Sequence, residues 1–265
     1  MSEIESLSLF VGTGECNARC AHCAGLPLRK FAPKRDGEVD EDLIRNTVLD
    51  CYRKGARALS LSSSGEPTLS PFAVDRVLHI IKDLKAEGVS FPKINLYTNG
   101  IRIGTDLSFC CWHFWAWHVL GLTTVYLTVH STDPLVNARV YGVPVYPPLE
   151  RIIDRIHRGY YKVRINLLLN KNIIPTCDVF TEMIRELQYD LHVDSIAAWP
   201  LRDKDDRIDL ATLPPAEEIQ KMTDWLEGNP NFRVRFLANE TAHEESYSAK
   251  LTLFPDGSLT NTWCR

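Results

Sequence analysis

Three cysteines stand at positions 16, 20 and 23, in the stretch CNARCAHC. Thiolates at C-x3-C-x2-C spacing bind a soft metal. A structural zinc wants four closed ligands. His22 is the near candidate for the fourth, but it adjoins Cys23, and adjacent side chains rarely reach one ion. No second Cys/His pair follows at zinc-finger spacing. A cubane iron–sulfur cluster can instead take three protein thiolates, which leaves one iron open to an outside ligand. A reactive cluster needs that opening, whereas an electron-carrying cluster usually has four thiolates.

The other cysteines, 51, 110, 111, 177 and 264, are scattered. Cys51 shares a helical face with Ile44 and Val48, so it reads as core. A chain of 265 residues that is 45% hydrophobic needs no disulfide staples. The N-terminus, MSEIESLSLFVG, carries acids where a secretion signal would carry bases. Together these imply a reducing, cytoplasmic setting. The most apolar stretch, 109–122, is shorter than the ~20 residues that span a bilayer. It reads as a buried helix, and no membrane partner is expected. The net charge of −4 disfavours nucleic acid as a partner. The basic stretch 27–36, with Arg29, Lys30, Lys34 and Arg35, reads as a solvated loop.

The elements that must position the thiols follow from periodicity. Strand-like runs occur at 7–12, 56–63, 93–98, 123–130, 162–169, 194–199 and 232–237. Amphipathic helical patterns lie between them, at 41–54, from 71 to Gly88, 107–120, 149–157, 178–188 and 216–226. Ser70 and Pro71 are placed as N-cap and first-turn proline of the second helix. This βα alternation predicts an α/β fold with a parallel sheet and helices outside. The sheet is an open doubly wound one or a full or partial TIM-like barrel. In either case the chemistry lies at the C-terminal ends of the strands. A hairpin is expected over 249–263, turning at Pro255-Asp256-Gly257.

The cysteines come directly after the first strand. The second strand runs into SSSGEPTLSP (62–71), and the third closes on LYTNG (96–100). The fourth closes on LTVHS (127–131), and the fifth closes within RINLLLNKN (164–172). A Gly-Glu-Pro turn or an Asn-Gly turn is common taken singly. Their joint position at successive strand ends, downstream of a cysteine triplet, points to one site.

In that arrangement the sequence resembles the radical S-adenosylmethionine (radical SAM) superfamily, in motif order over roughly residues 7 to 200. The resemblance implies a partial (β/α)6 TIM-like barrel. It places the radical SAM core at 1–205. A helix, strand and hairpin extension over 206–265 completes or caps the barrel. It implies one 4Fe-4S cluster on Cys16, Cys20 and Cys23, with S-adenosylmethionine chelating the open iron. His22, at the place of the family's aromatic residue, is then expected near the adenine. Ser64, Gly65 and Glu66 match the GGEP motif, with Ser64 replacing the first glycine, and are expected at the methionine amino group. Thr98 and Asn99 belong to a matching TNG. Thr128, His130 and Ser131 stand where the family often has Ser-x-Asp, with Thr128 at the ribose or carboxylate. Arg139 aligns with a carboxylate-holding segment, and Asn166 is a second ribose or carboxylate candidate. Trp199 and Arg202 are expected on the substrate side. An external one-electron reductant of flavodoxin or ferredoxin type is implied.

The activity implied is reductive cleavage of S-adenosylmethionine to a 5′-deoxyadenosyl radical that takes a hydrogen atom from substrate. Small-molecule, nucleoside and peptide substrates all fit. A glycyl-radical-enzyme activase with a protein partner is the alternative within the class. A non-enzymatic protein with a structural zinc at the triplet is the alternative outside it. The aromatic residues of 107–120 leave room for a homodimer contact. FPDGSLTNTWC resembles the start of an auxiliary-cluster extension, but Cys264 alone cannot hold a cluster and reads as structural.

Overall fold

The computed structural model describes residues 4–202, 207–238 and 249–261. Nine strands form one sheet: β1 (Ser6–Phe10), β2 (Ala58–Ser62), β3 (Lys93–Thr98), β4 (Thr124–Val129), β5 (Lys162–Leu169), β6 (Ser195–Pro200), β7 (Val234–Phe236), β8 (Lys250–Leu253) and β9 (Leu259–Thr260). Their order is β7-β6-β5-β4-β3-β2-β1-β8-β9. Every pairing is parallel except β8 with β9. The expected C-terminal hairpin therefore forms, and its first strand extends the sheet beside β1. Residues 262 and 263 of that hairpin, and Cys264, lie outside the described residues.

One face of the sheet is apolar. Leu7, Leu9, Leu59, Leu61, Leu96, Val125, Leu127, Val163, Ile165 and Leu167 are all buried there. The helices α1 (Glu41–Arg53), α2 (Pro71–Ala86), α6 (Pro134–Tyr141), α7 (Leu149–Arg158), α8 (Cys177–Arg185) and α9 (Ala216–Gly228) separate the strands in sequence. α7 presents Leu149, Ile152, Ile153 and Ile156 to the core. The strand residues of opposite parity are polar or aromatic: Ser6, Ser8, Ser60, Asn95, Tyr97, Tyr126, Arg164 and Lys250 line one cavity. That cavity shows the curvature. Trp199 on β6 and Lys250 on β8 are six positions apart in the sheet order. On a flat sheet, ~4.8 Å per strand would separate them by roughly 29 Å. Lys250 Nζ instead lies 6.0 Å from the Trp199 ring centroid. The sheet is curled into a partial barrel, and no pairing among the described residues joins its two edges.

Two local expectations are corrected. Ser70 sits at the N-cap position of α2 but makes no capping bond. Its hydroxyl is taken by the first loop, where Thr13 N–H donates to Ser70 Oγ at 3.0 Å. The cap comes from Asp36, whose carboxylate accepts from Phe72 N (3.2 Å) and Ala73 N (2.9 Å). Asp36→Ala is expected to cost about 1 kcal/mol. A denaturation midpoint equal to that of the unmutated protein would show that Asp36 does not cap α2.

The aromatic segment 107–120 is also not one buried helix. After the short α3 (Ile101–Thr105), it divides into α4 (Leu107–Phe109), a π-helical turn (Cys110–Phe114) and α5 (Ala116–Val119). Trp115 N–H bonds Cys110 O at 2.9 Å, five residues back. The extra residue in that turn lets Phe109, Phe114 and Trp117 all reach the core. Trp112 is left 79% exposed.

Candidate functional site

The loop between β1 and a short 3-10 turn (Leu26–Phe31) carries Cys16, Cys20 and Cys23, all free thiols and all partly buried. It has little hydrogen bonding of its own, so neighbours hold its shape. The β2 end holds it most tightly. Glu66 N–H bonds Glu15 O at 2.7 Å. A Cβ on Gly65 would lie 2.1 Å from Glu15 O and 2.3 Å from Gly14 O. A Cβ on Gly25 would lie 2.4 Å from Ser64 O. Glycine is required at both places because backbone meets backbone. Arg29 also reaches in, its Nε donating to Ser64 O at 3.3 Å, so this residue is more than part of a solvated loop.

The β3 end holds the same loop from another side. The Asn99 side-chain amide donates to Asn17 Oδ1 at 2.8 Å and points at Cys16 Sγ from 3.9 Å. Ala18 N–H also points at that sulfur, at 3.4 Å. A third hold comes from α6, where Arg19 N–H bonds Tyr141 O at 2.7 Å. Burial is the main cause that raises the pKa of Cys16 and of Cys20 above the usual thiol range. Cys23 and Cys16 add to the effect on Cys20, which is pushed up to about 11. A metal at this loop would therefore have to supply the free energy of deprotonating Cys16 and Cys20. Among the described residues, no group of three or more His, Cys, Asp and Glu side chains converges on a single-ion site.

Glu66 joins the β2 and β3 ends. It is buried, and burial raises its carboxyl pKa against the hydrogen bonds it accepts. Oε1 accepts from Thr68 N (3.1 Å), Thr68 Oγ1 (2.8 Å) and Thr98 Oγ1 (2.7 Å), and Oε2 accepts from Asn99 N (2.8 Å). Thr98 in turn accepts from Gly100 N at 3.0 Å. Glu66 and Thr98 are thus braces that fix where Asn99 and Gly65 stand.

The β4 end supplies a row of rings. His22 lies edge-on to His130 (centroids 5.0 Å apart), His130 edge-on to Tyr141 (5.2 Å), and Tyr141 stacks on Tyr146 (5.2 Å). Tyr146 OH closes the row on Asn99 O at 2.9 Å. His130 is 1% exposed, and neither ring nitrogen has a hydrogen-bond partner. Burial, then the nearby His22, pushes its pKa down to about 3, so the ring is neutral at pH 7. Ser131 Oγ accepts from Asp133 N at 3.1 Å. Thr128 lies beside Asn166 across β4 and β5, and its carbonyl accepts from Tyr141 OH at 2.6 Å. Asn166 is 6% exposed with Oδ1 unpartnered, and the buried Ser62 Oγ is unpartnered as well.

Cys16, His22, Ser64, Gly65, Glu66, Thr98, Asn99 and His130 are thus joined through hydrogen bonds, close backbone approach or ring contacts to one cysteine loop, which also carries Cys20 and Cys23. Arg139 is exposed on α6, with no hydrogen bond or ion pair to this group. Trp199 lies within β6, under Lys250, and Arg202 forms an isolated bridge with Ile208. Sequence reading missed Asn137. Its amide holds the β4 end, with Oδ1 accepting from His130 N (3.0 Å) and Ser131 N (3.2 Å) and Nδ2 donating to Ser131 O (2.6 Å). It also missed Tyr141, Tyr146, Asn17 and Arg19. Only the aromatic pair flanking Gly142-Val143-Pro144 was a visible signal.

The donor set fits a cluster with a polar cofactor beside it. Three soft ligands share one loop, two N–H groups face a sulfur, and unpartnered polar atoms are buried on Ser62 at the β2 end, on His130 just past β4 and on Asn166 within β5. Buried polar atoms without partners are rare and call for a ligand.

No family model matches the chain. It is 30% identical over 165 residues to a GTP 3′,8-cyclase of Actinobacillus succinogenes, covering 61% of this chain and 44% of the cyclase. The chain thus spans less than half the length of the curated relatives it matches. In fold it is similar to anSMEcpe solved with bound AdoMet, with a TM-score of 0.64 and 13% identity over 97% of this chain and 74% of that one. It is also similar to a radical SAM methyltransferase from Sphaerobacter thermophilus, with a TM-score of 0.58 and 12% identity over 94% and 68%.

Proposed function

We propose that this chain, which belongs to the radical SAM superfamily, is an enzyme holding one 4Fe-4S cluster on Cys16, Cys20 and Cys23. S-adenosylmethionine is its cofactor, and a small molecule is its substrate. The observation that carries this reading is the convergence of Gly65, Glu66 and Asn99 on the cysteine loop, which gives irregular backbone a defined shape. When bound, the cluster and S-adenosylmethionine supply reductive cleavage of the sulfonium and hydrogen-atom abstraction from substrate.

The chain's own residues bind and orient. Asn99 and Ala18 direct N–H groups at the Cys16 sulfur, which stabilises its thiolate. His130, Asn166 and Ser62 offer their unpartnered atoms to the polar parts of the cofactor, and His22 lies edge-on to His130 between loop and rim. Glu66 holds these pieces in register. The relative named GTP 3′,8-cyclase acts, by that name, on a nucleotide. This supports a small molecule rather than a protein as substrate. An external one-electron donor completes the proposal. No helix among the described residues is long and apolar enough to cross a membrane.

The test is anaerobic reconstitution, iron and sulfide assay, and a search for 5′-deoxyadenosine after adding dithionite and S-adenosylmethionine. About four irons and four sulfides per chain are expected, with 5′-deoxyadenosine formed. About one zinc per chain and no cleavage would overturn the proposal.

A further inference from the structure

The curled sheet half-encloses a cavity of about 420 Å³, lined mostly from the N-terminal parts of the strands and reaching up to Tyr97 on β3. Its lining carries five basic side chains, Arg57, Lys93, Arg164, Arg235 and Lys250, against one acid, Glu5. Arg57 is engaged elsewhere, donating to Tyr52 O (3.0 Å) and Ala56 O (2.8 Å). Among the described residues, no ion pair involves Lys93, Arg164 or Arg235. Arg164 lies over the Tyr126 ring at 4.3 Å, and Tyr97 meets Tyr126 edge-on at 5.0 Å. The cations therefore share a wall with aromatic faces.

We infer that this cavity is the seat of an oxyanion, the phosphoryl or carboxylate group of a small anionic substrate. Arg164, Arg235 and Lys250 hold it from three strands, β5, β7 and β8. Like charges gathered in a half-enclosed cavity repel one another, and an anion between them reverses the sign of that interaction. Burial, then Arg164 and Arg235, already pushes the Lys250 ammonium down to about 8, with Glu5 opposing. A second observation is independent of charge. Asn95 lines the same cavity, is 3% exposed, and has its Oδ1 without a hydrogen-bond partner. That acceptor calls for a donor on the ligand, a hydroxyl or an amine.

The register sets the ligand's direction. Tyr97, Tyr126, Arg164 and Ser195 are successive partners across β3 to β6. Asn166 lies two residues further along β5, roughly 7 Å nearer the rim. A molecule anchored by its anion at Arg164 thus extends toward Asn166 and His130. This last step rests on the proposed function, while the anion seat is a property of the lumen alone.

The test is titration of the whole chain with inorganic pyrophosphate and, separately, with citrate, followed by calorimetry and by tryptophan fluorescence from Trp199. Saturable binding of at least one anion is expected. It should weaken at least tenfold in Arg164→Gln and in Arg235→Gln, through loss of a charge-assisted contact. Arg235→Lys should keep most of it. Preference for pyrophosphate assigns a phosphoryl group, and preference for citrate a carboxylate. Binding of neither anion, or affinities unchanged in both glutamine variants, overturns the inference. Arg235 is exposed, so its variant decides the matter if Arg164→Gln does not fold. Cys20→Ala should still bind the anion. Anion binding by the reconstituted, unmutated chain with no 5′-deoxyadenosine formed would count against the proposed function and leave this inference standing.

Discussion

Cys20→Ala is expected to abolish both iron loading and 5′-deoxyadenosine formation. The loss should exceed the roughly 100-fold that removal of an outer-shell partner causes. The loop has three thiols, all partly buried, and Asn99 and Ala18 aim N–H groups at one of them. Without a ligand the buried Cys20 thiol resists ionisation, with its pKa at about 11. Removing it leaves two thiolates, fewer than a cubane requires. Cys111 is exposed and far from this loop in sequence, so Cys111→Ala is the matched control, with iron and product both retained. Equal iron content in the Cys20 and Cys111 variants would remove the triplet from the metal chemistry.

Gly65→Ala should destabilise the protein by about 3 kcal/mol and lower iron loading with it. The new methyl carbon would lie 2.1 Å from Glu15 O and 2.3 Å from Gly14 O, and neither is the end of a flexible side chain. The backbone has to move, which places the cost at the upper end of overpacking penalties. The movement breaks the 2.7 Å bond from Glu66 N–H to Glu15 O and takes the cysteine loop with it. Gly228 is the control, since a Cβ there meets nothing within 4 Å. Gly228→Ala should be neutral or slightly stabilising. At roughly 2–4 °C per kcal/mol for a chain of this size, the two variants separate clearly in thermal unfolding. Matching melting temperatures would show that the Ser64–Gly65 clasp does not support the loop.

The strand and helix alternation was readable because each element has a single period. Leu7, Leu9, Leu59 and Leu61 alternate with serines, and α7 repeats its isoleucines at helical spacing. The site motifs were readable because glycine, proline and asparagine mark strand ends. What failed was local competition. Ser70 carries an ordinary capping signal, but a loop from the other side of the chain took its hydroxyl, and Asp36, 35 residues before α2, capped the helix. The aromatic run looked continuous, yet the five-residue step from Phe109 to Phe114 fits a π turn and not an α-helix.

Sequence alone determined the cysteine triplet, the parallel α/β class and the set of strand ends that face it, since these depend on residue type and short-range spacing. Tertiary structure decided the rest. It showed Glu66 to be a brace, Arg139 to be exposed on α6 and Asn137 to hold the β4 end. It also brought Arg164, Arg235 and Lys250, each inconspicuous in its own strand, around one cavity. The physical reason is curvature. Curling of the sheet brings together residues from strands toward opposite edges, and the period of a single strand carries no information about which distant strand it will face.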